Sequence, residues 1–325
     1  MTRSLEVLLD SLIDYAGLFP PAALDMTAAV THYARYRTGP RRSLLGHFIC
    51  PATRLESFEA AAAAHLNPET RPTAEGGPET APWTLSLLPR GGADTALLLR
   101  SLTEDLDALA ALERRRQGRV RGRALEMRLP PSIVAGEPAE PLLEGTAKLL
   151  EGTGIRRVFF EVAPETPHLD RLFVRLARGG TNRAPAVKIR TGGVEAAAFP
   201  SPEAVAGFLI AARKAKLAFK ATAGLHHPLR RFDAGLETTM HGFLNLFVGA
   251  VLLAGNKLDG GELVELLADE NPEAFRFTGE DLGWHGRRAS VAEIVAARRD
   301  FSVSYGSCSF TEPIEDLETL GLLQP

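Results

Sequence analysis

Apolar and polar positions along this chain fall into two alternating kinds of segment. Short apolar runs, several with a two-residue alternation, predict strands at Ile13–Phe19, Leu44–Cys50, Trp83–Leu88, Ala124–Leu129, Val158–Val162, Ala186–Arg190, Leu217–Thr222 and, with the weakest pattern, Phe275–Thr278. Longer segments with helical spacing lie between them: Met26–Tyr36, Leu55–His65, Thr95–Arg115, Glu140–Leu150, Leu169–Arg178, Pro202–Lys214 and Leu236–Ala254. Ser201-Pro202-Glu203 supplies a cap residue, an N1 proline and an early acid at the start of one of these helices. After Gly255, Leu263–Leu267 and Val291–Arg299 read as helices, and the tail from Phe301 to Phe310 as either a strand or an ordered loop. Asn67 to Pro82, rich in Pro, Glu, Gly and Thr, reads as an exposed loop.

Strands alternating with helices predict a parallel sheet, and eight strands close a barrel. The expected fold is α/β, a single (β/α)8 TIM barrel over residues 1–325, with its core at about 13–280 and a C-terminal extension, 281–325, packed near the barrel mouth. A doubly wound open sheet is the alternative.

Composition narrows the class. The chain has 325 residues, 45% hydrophobic and 24% charged, enough for a large buried core. A net charge of −3 argues against a sequence-independent nucleic-acid binder. Cys50 and Cys308 make no disulfide framework, so a reducing compartment is expected. Glu6 and Asp10 interrupt the N-terminal apolar stretch, unlike a signal peptide, and Gly242 to Gly255 is too short to span a bilayer. A cytoplasmic protein bound to neither nucleic acid nor membrane is expected, with homo-oligomerisation left open. No nucleotide-binding glycine motif is present, so no cofactor is expected.

The chemistry lies in which side chains the strands aim inward. With β-branched residues of Val187-Lys188-Ile189-Arg190 facing the helices, Lys188 and Arg190 point into the barrel. The same alternation sends Lys220 and Thr222, Glu126 and Arg128, and Glu161 inward. So many charges are expected near the C-terminal mouth, where barrel active sites lie, and their positive surplus suits an anionic substrate. A lysine amine attacks a carbonyl only when unprotonated, and burial or a neighbouring cation favours that form. One lysine is therefore expected to form a Schiff base, a second to tune it, and Glu126, Glu161 or Asp14 to move protons. A purely structural ion-pair network is the competing reading.

The two lysine segments, Val187-Lys188-Ile-Arg-Thr191-Gly192 and Phe219-Lys220-Ala221-Thr222-Ala-Gly224, resemble those of the deoxyribose-phosphate aldolases, class I Schiff-base aldolases on an α/β barrel. The resemblance implies that Lys188 forms the Schiff base and that Lys220 lowers its pKa. Asp14 in Ile13-Asp14-Tyr15 is similar to the family's first-strand aspartate, and Glu126 stands where the family has an acid–base Asp on its fourth strand. Two departures stand out. Lys220 is followed by Ala-Thr-Ala-Gly-Leu-His226-His227-Pro228 in place of the family's Gly-Gly-Ile-Arg, and no Gly-Ser-rich phosphate-binding turn follows Phe275–Thr278. The implied activity is an aldolase-like lyase acting on a small anionic carbonyl metabolite.

Other groups complete the expected site. His226 and His227 follow the seventh strand and are candidates to contact substrate. Thr191 stands in the first lysine segment, and Gly192 and Gly224 are candidates to hold an anion through backbone N–H groups. No His-x-x-x-His spacing supports a metal, and none is expected; a metal-dependent hydrolase or isomerase using His226, His227 and Glu161 is a third reading. A non-catalytic anion-binding barrel is the second.

Overall fold

The computed structural model describes residues 1–66, 81–179 and 185–324; the expected loop from Asn67 to Pro82 lies outside them except for its last two residues. Eight parallel strands close a barrel. In chain order the first seven are β1 (Ile13–Tyr15), β2 (Leu45–Pro51), β3 (Trp83–Leu88), β4 (Val120–Arg128), β5 (Arg157–Val162), β6 (Pro185–Arg190) and β7 (Ala218–Thr222). Helices pack around them: α1 (Arg3–Leu9), α2 (Met26–Thr38), α3 (Leu55–Leu66), α4 (Thr95–Arg115), α5 (Pro131–Ala135), α6 (Glu140–Leu149), α7 (Leu169–Arg178) and α8 (Pro202–Lys214). At α8 the Ser201 hydroxyl accepts from the Ala204 N–H, the cap that the Ser-Pro-Glu start predicts.

The path after β7 departs from the simple repeat. A hairpin of β8 (Arg231–Asp233) and β9 (Thr238–Met240) precedes α9 (Phe243–Ala254) and α10 (Gly260–Ala268). Residues 236–242, expected as the start of a helix, are thus a turn and a strand, and Gly242 marks where the helix begins. An antiparallel sheet follows, β10 (Phe275–Phe277), β11 (Asp281–Trp284) and β12 (Arg287–Ser290), and then α11 (Val291–Asp300).

The eighth barrel strand is β13 (Ser302–Ser307), hydrogen-bonded to β7 on one side and β1 on the other. This corrects the expectation that Phe275–Thr278 closes the barrel and that the core ends near residue 280. Phe275-Arg-Phe277 does alternate like a strand, but its partner is Leu282–Trp284 in the added sheet. The last helix, α12 (Thr311–Thr319), follows β13 at the mouth.

One large apolar core fills the space between barrel and helices. Inside the barrel a small separate cluster, Ala124, Phe159, Ala186 and Ala218 with Val303 against them, forms an apolar floor. The small side chains let Phe159 fill the lumen from β5, and polar side chains occupy the levels above.

Candidate functional site

Five strands aim their charges at one another above the floor. Lys188 on β6 and Lys220 on β7 are direct register partners, so both side chains leave the sheet on the same face. Glu161 on β5 pairs with Lys188 in the same row. Across the lumen stand Glu126 from β4 and Asp14 from β1.

The resulting network is continuous. The Lys220 ammonium donates to Asp14 Oδ2 at 2.5 Å and to Glu126 Oε1 at 2.6 Å. Lys188 donates to Glu126 Oε2 at 3.0 Å and lies 2.6 Å from Glu161 Oε2. Glu126 therefore bridges the two lysines with its two oxygens. Ser86 on β3 donates to Glu126 Oε1 at 2.6 Å, and Ser304 on β13 donates to Asp14 Oδ2 at 2.7 Å. Asp14 Oδ1 accepts the His47 backbone N–H at 2.5 Å. Gly46 makes room for this carboxylate, since a Cβ there would lie 2.2 Å from Asp14 Oδ1.

Depth separates the two lysines. The Lys220 side chain is 0% exposed, and that of Lys188 is 5% exposed, beside the 15%-exposed Glu161. Arg128 and Arg190, at the last positions of β4 and β6, reach Glu161 Oε1 at 3.5 Å and 3.7 Å and mark the mouth. These separations exceed good hydrogen-bonding range, so the guanidinium forks keep donors for another acceptor.

Burial opposes every charge in this network, and opposite charge overrides it. At Glu126 desolvation alone favours the neutral acid, but Lys220 and Lys188, with the Lys220 and Ser86 hydrogen bonds, carry its pKa well below the usual carboxylate range. Glu161 is lowered in the same way, against burial, chiefly by Lys188 and then by Arg190 and Arg128. Burial favours the neutral amine at Lys220, but Asp14 and Glu126 outweigh it and the net shift is upward. Lys220 is therefore held as a cation. Each lysine is already in contact with two carboxylates.

The remaining expected residues divide. Thr222 ends β7 half-buried near Gly306, whose Cβ would lie 3.3 Å from its hydroxyl. Thr191 is fully buried and donates to the Ala223 carbonyl at 2.7 Å, tying the ends of β6 and β7 together and presenting nothing to the lumen mouth. Gly192 and Gly224 pack backbone to backbone: a Cβ on either would come within 2.8 Å of the other's Cα, and Gly224 has φ of +72°. Their bareness is explained by that contact. His226 Nδ1 pairs with Glu312 Oε2 at 2.9 Å and His227 Nδ1 with Asp316 Oδ2 at 2.5 Å, so both imidazoles fasten α12 to the loop after β7. Among the described residues no group of three or more His, Cys, Asp or Glu side chains has the arrangement of a metal site. His241 is buried, its Nε2 donating to the Pro200 carbonyl at 2.7 Å, and burial lowers its pKa to about 4. Asn245 bonds the Arg230 N–H and the carbonyls of Leu266 and Asp269, a structural role.

Ser86, Ser304, His47 and Gly46 were not among the expected site residues. Ser86 was legible: Thr84 and Ser86 are the polar members of an alternating Trp-Thr-Leu-Ser-Leu strand. Ser304 was hidden by the misplacement of the eighth strand. Gly306 and Ser307 end that strand, paired with Asp14 and Tyr15 of β1, and Cys308 and Ser309 lead from it into α12. No described helix is long and apolar enough to cross a membrane. Compared with protein-family models and with curated proteins, the chain matches none.

Proposed function

We propose that this protein is an aldolase-like lyase in which Lys188 forms a Schiff base with a small anionic carbonyl compound. The observation that carries the reading is the ordering of the amines by depth. Lys188 is the one next to the mouth, between two carboxylates, and Lys220 lies beneath it as a fixed cation, separated by Glu126 alone.

In this reading Glu161, the outermost carboxylate, takes a proton from the Lys188 ammonium, and the free amine adds to the carbonyl carbon. The proton returns to the carbinolamine hydroxyl, which leaves as water; a carboxylate then takes the proton of the β-hydroxyl, its carbon departs as a carbonyl, and the iminium accepts the electron pair of the broken Cα–Cβ bond. Lys220 is the second amine of the pair, held as a cation below Lys188. Arg128 and Arg190 suit the anionic end of the substrate.

Borohydride reduction in the presence of acetaldehyde, acetone, pyruvate and phosphorylated aldehydes, followed by peptide mass mapping, tests this. A stable adduct on Lys188, lost in Lys188→Met, is expected. No adduct anywhere in such a panel would overturn the reading. A second reading is favoured by the four short lysine–carboxylate contacts themselves: a non-catalytic barrel that binds an anion at Arg128 and Arg190 over a static ion-pair network. It gives anion binding with no reducible adduct.

A further inference from the structure

The network has a second side. Asp14 contributes to the lysine cluster through Oδ2, and it also lines a cavity of about 830 Å³ at the opposite, N-terminal end of the barrel. Lys188, Lys220, Glu126 and Glu161 do not line that cavity; Asp14 and its hydroxyl partner Ser304 do. The cavity wall near Asp14 is formed by Gly46, His47 and Thr84, and the outer rim includes the exposed Arg3 and Arg299. Its edge is fixed by Arg298, whose guanidinium donates to the carbonyls of Ser302, Val303 and Asp10. A barrel whose N-terminal end serves stability alone would close this end with apolar side chains. Here the bareness of Gly46 leaves a carboxylate facing polar space.

We infer that this cavity is a rear proton route, by which the lysine network exchanges protons with solvent through Asp14 and His47 while substrate occupies the mouth. The inference rests on the Schiff-base reading. Each link is a contact already described: Lys188 to Glu126 at 3.0 Å, Glu126 to Lys220 at 2.6 Å, and Lys220 to Asp14 at 2.5 Å. A proton leaving Lys220 for Asp14 gives a neutral amine and a neutral acid. The acid passes that proton to water in the cavity, and Lys220 is refilled from Lys188 through Glu126. The net change is one proton from the Lys188 ammonium to solvent, with no other reactant. A cavity of this size accommodates a chain of waters at about 30 Å³ each.

His47 is the positioning residue of the route. Its backbone N–H holds Asp14 Oδ1, and its Nδ1 is 2.8 Å from the Thr84 hydroxyl, which fixes the ring. Burial first, and then the cations Lys220 and Arg123, lower its pKa, against Asp14 and Glu126, so the ring is a neutral acceptor near neutral pH. Arg298 and Arg299 from α11, Arg3 and Glu6 from α1 and Asp10 just after α1 are the other charged groups on this cavity.

The test is the rate at which the Lys188 adduct forms with acetaldehyde, acetone or pyruvate, measured by timed borohydride quench, against its final yield. His47→Ala is expected to slow formation at least tenfold, to enlarge the solvent deuterium isotope effect, and to leave the final yield unchanged. Added imidazole, which fits the enlarged cavity, is expected to restore the rate. Ser43→Phe narrows the same cavity without touching the network, and should slow the reaction with no rescue by imidazole. Rates within twofold of wild type in both variants, with an unchanged isotope effect, would sink the rear route while leaving the Schiff base standing. No adduct in the wild type would instead sink the underlying reading and this route with it.

Discussion

Replacing Lys220 by Met measures what the buried network contributes. Methionine keeps the unbranched shape and most of the volume, so the change is mainly one of charge. It leaves Asp14 with the Ser304 hydroxyl and the His47 N–H, and Glu126 with Lys188 and Ser86, two carboxylates short of their shared cation. Removing one partner of a buried ion pair costs about 3–5 kcal/mol. With an unfolding entropy of about 2.1 cal/mol/K per residue, a chain of this length has about 0.7 kcal/mol/K at its midpoint, so Tm should fall by about 4–7 °C. The pH dependence identifies the cause. Glu126 has a depressed folded pKa, so its stabilising contribution is present above its ordinary value of 4.5 and is lost as pH falls through the folded value. Lys220 has a raised folded pKa, so its contribution is present below 10.5 and is lost as pH rises through the folded value. The gap between wild type and Lys220→Met should therefore be widest between about pH 5 and pH 10 and close at both extremes, as followed by thermal unfolding in circular dichroism. A gap under 1 °C at pH 7, or one independent of pH, would refute the electrostatic account.

Other positions give sharper local tests. Gly46→Ala should displace the Asp14 carboxylate, because its Cβ would lie 2.2 Å from Oδ1; a loss of about 2 kcal/mol in urea unfolding is expected, together with slower adduct formation. Gly224→Ala combines a positive φ with the Gly192 contact and should cost about 1–3 kcal/mol, whereas Gly207→Ala, in helix α8 with open space around it, should be neutral or slightly stabilising. Replacing both His226 and His227 by Ala should release α12: limited proteolysis is expected to cleave near residues 308–311 at least tenfold faster, while the barrel midpoint moves by less than about 2 °C, as suits partly exposed pairs. Arg128→Ala, whose side chain is 80% exposed, should leave stability within about 0.5 kcal/mol yet weaken binding of anionic carbonyl compounds.

The first seven strands were legible because each carries an inward–outward alternation that local sequence expresses on its own. The eighth was not. Phe275-Arg-Phe277 has aromatic residues that announce a strand, whereas Ser302-Val-Ser304-Tyr-Gly306 has small ones, and small residues are what a position beside two bulky lysine–carboxylate pairs requires. Burial against a partner strand, not propensity, selects that segment, and a single sequence carries no record of which distant strand it meets. The histidine pair after β7 was read as facing substrate because α12, which supplies its partners, lies more than eighty residues further along.

The inward set of charges was legible by alternation, but its pairing was not, and the pairing changes the chemistry. Two lysines in apolar strands suggest amines freed by burial. Three carboxylates meet them, and at Lys220 they outweigh burial and raise the pKa. In the Schiff-base reading a proton leaves Lys188 through a network whose contacts span 2.5–3.0 Å, short enough for transfer along hydrogen bonds. The ion pairs that favour a static reading are thus the same contacts a proton would use. What separates the two readings is whether protons can leave, and Asp14 is the member of the cluster that faces a second, polar space. Glycine at position 46 is the residue that fits beside Asp14, and both residues line the N-terminal cavity, so the carboxylate sits between that cavity and the lysine cluster.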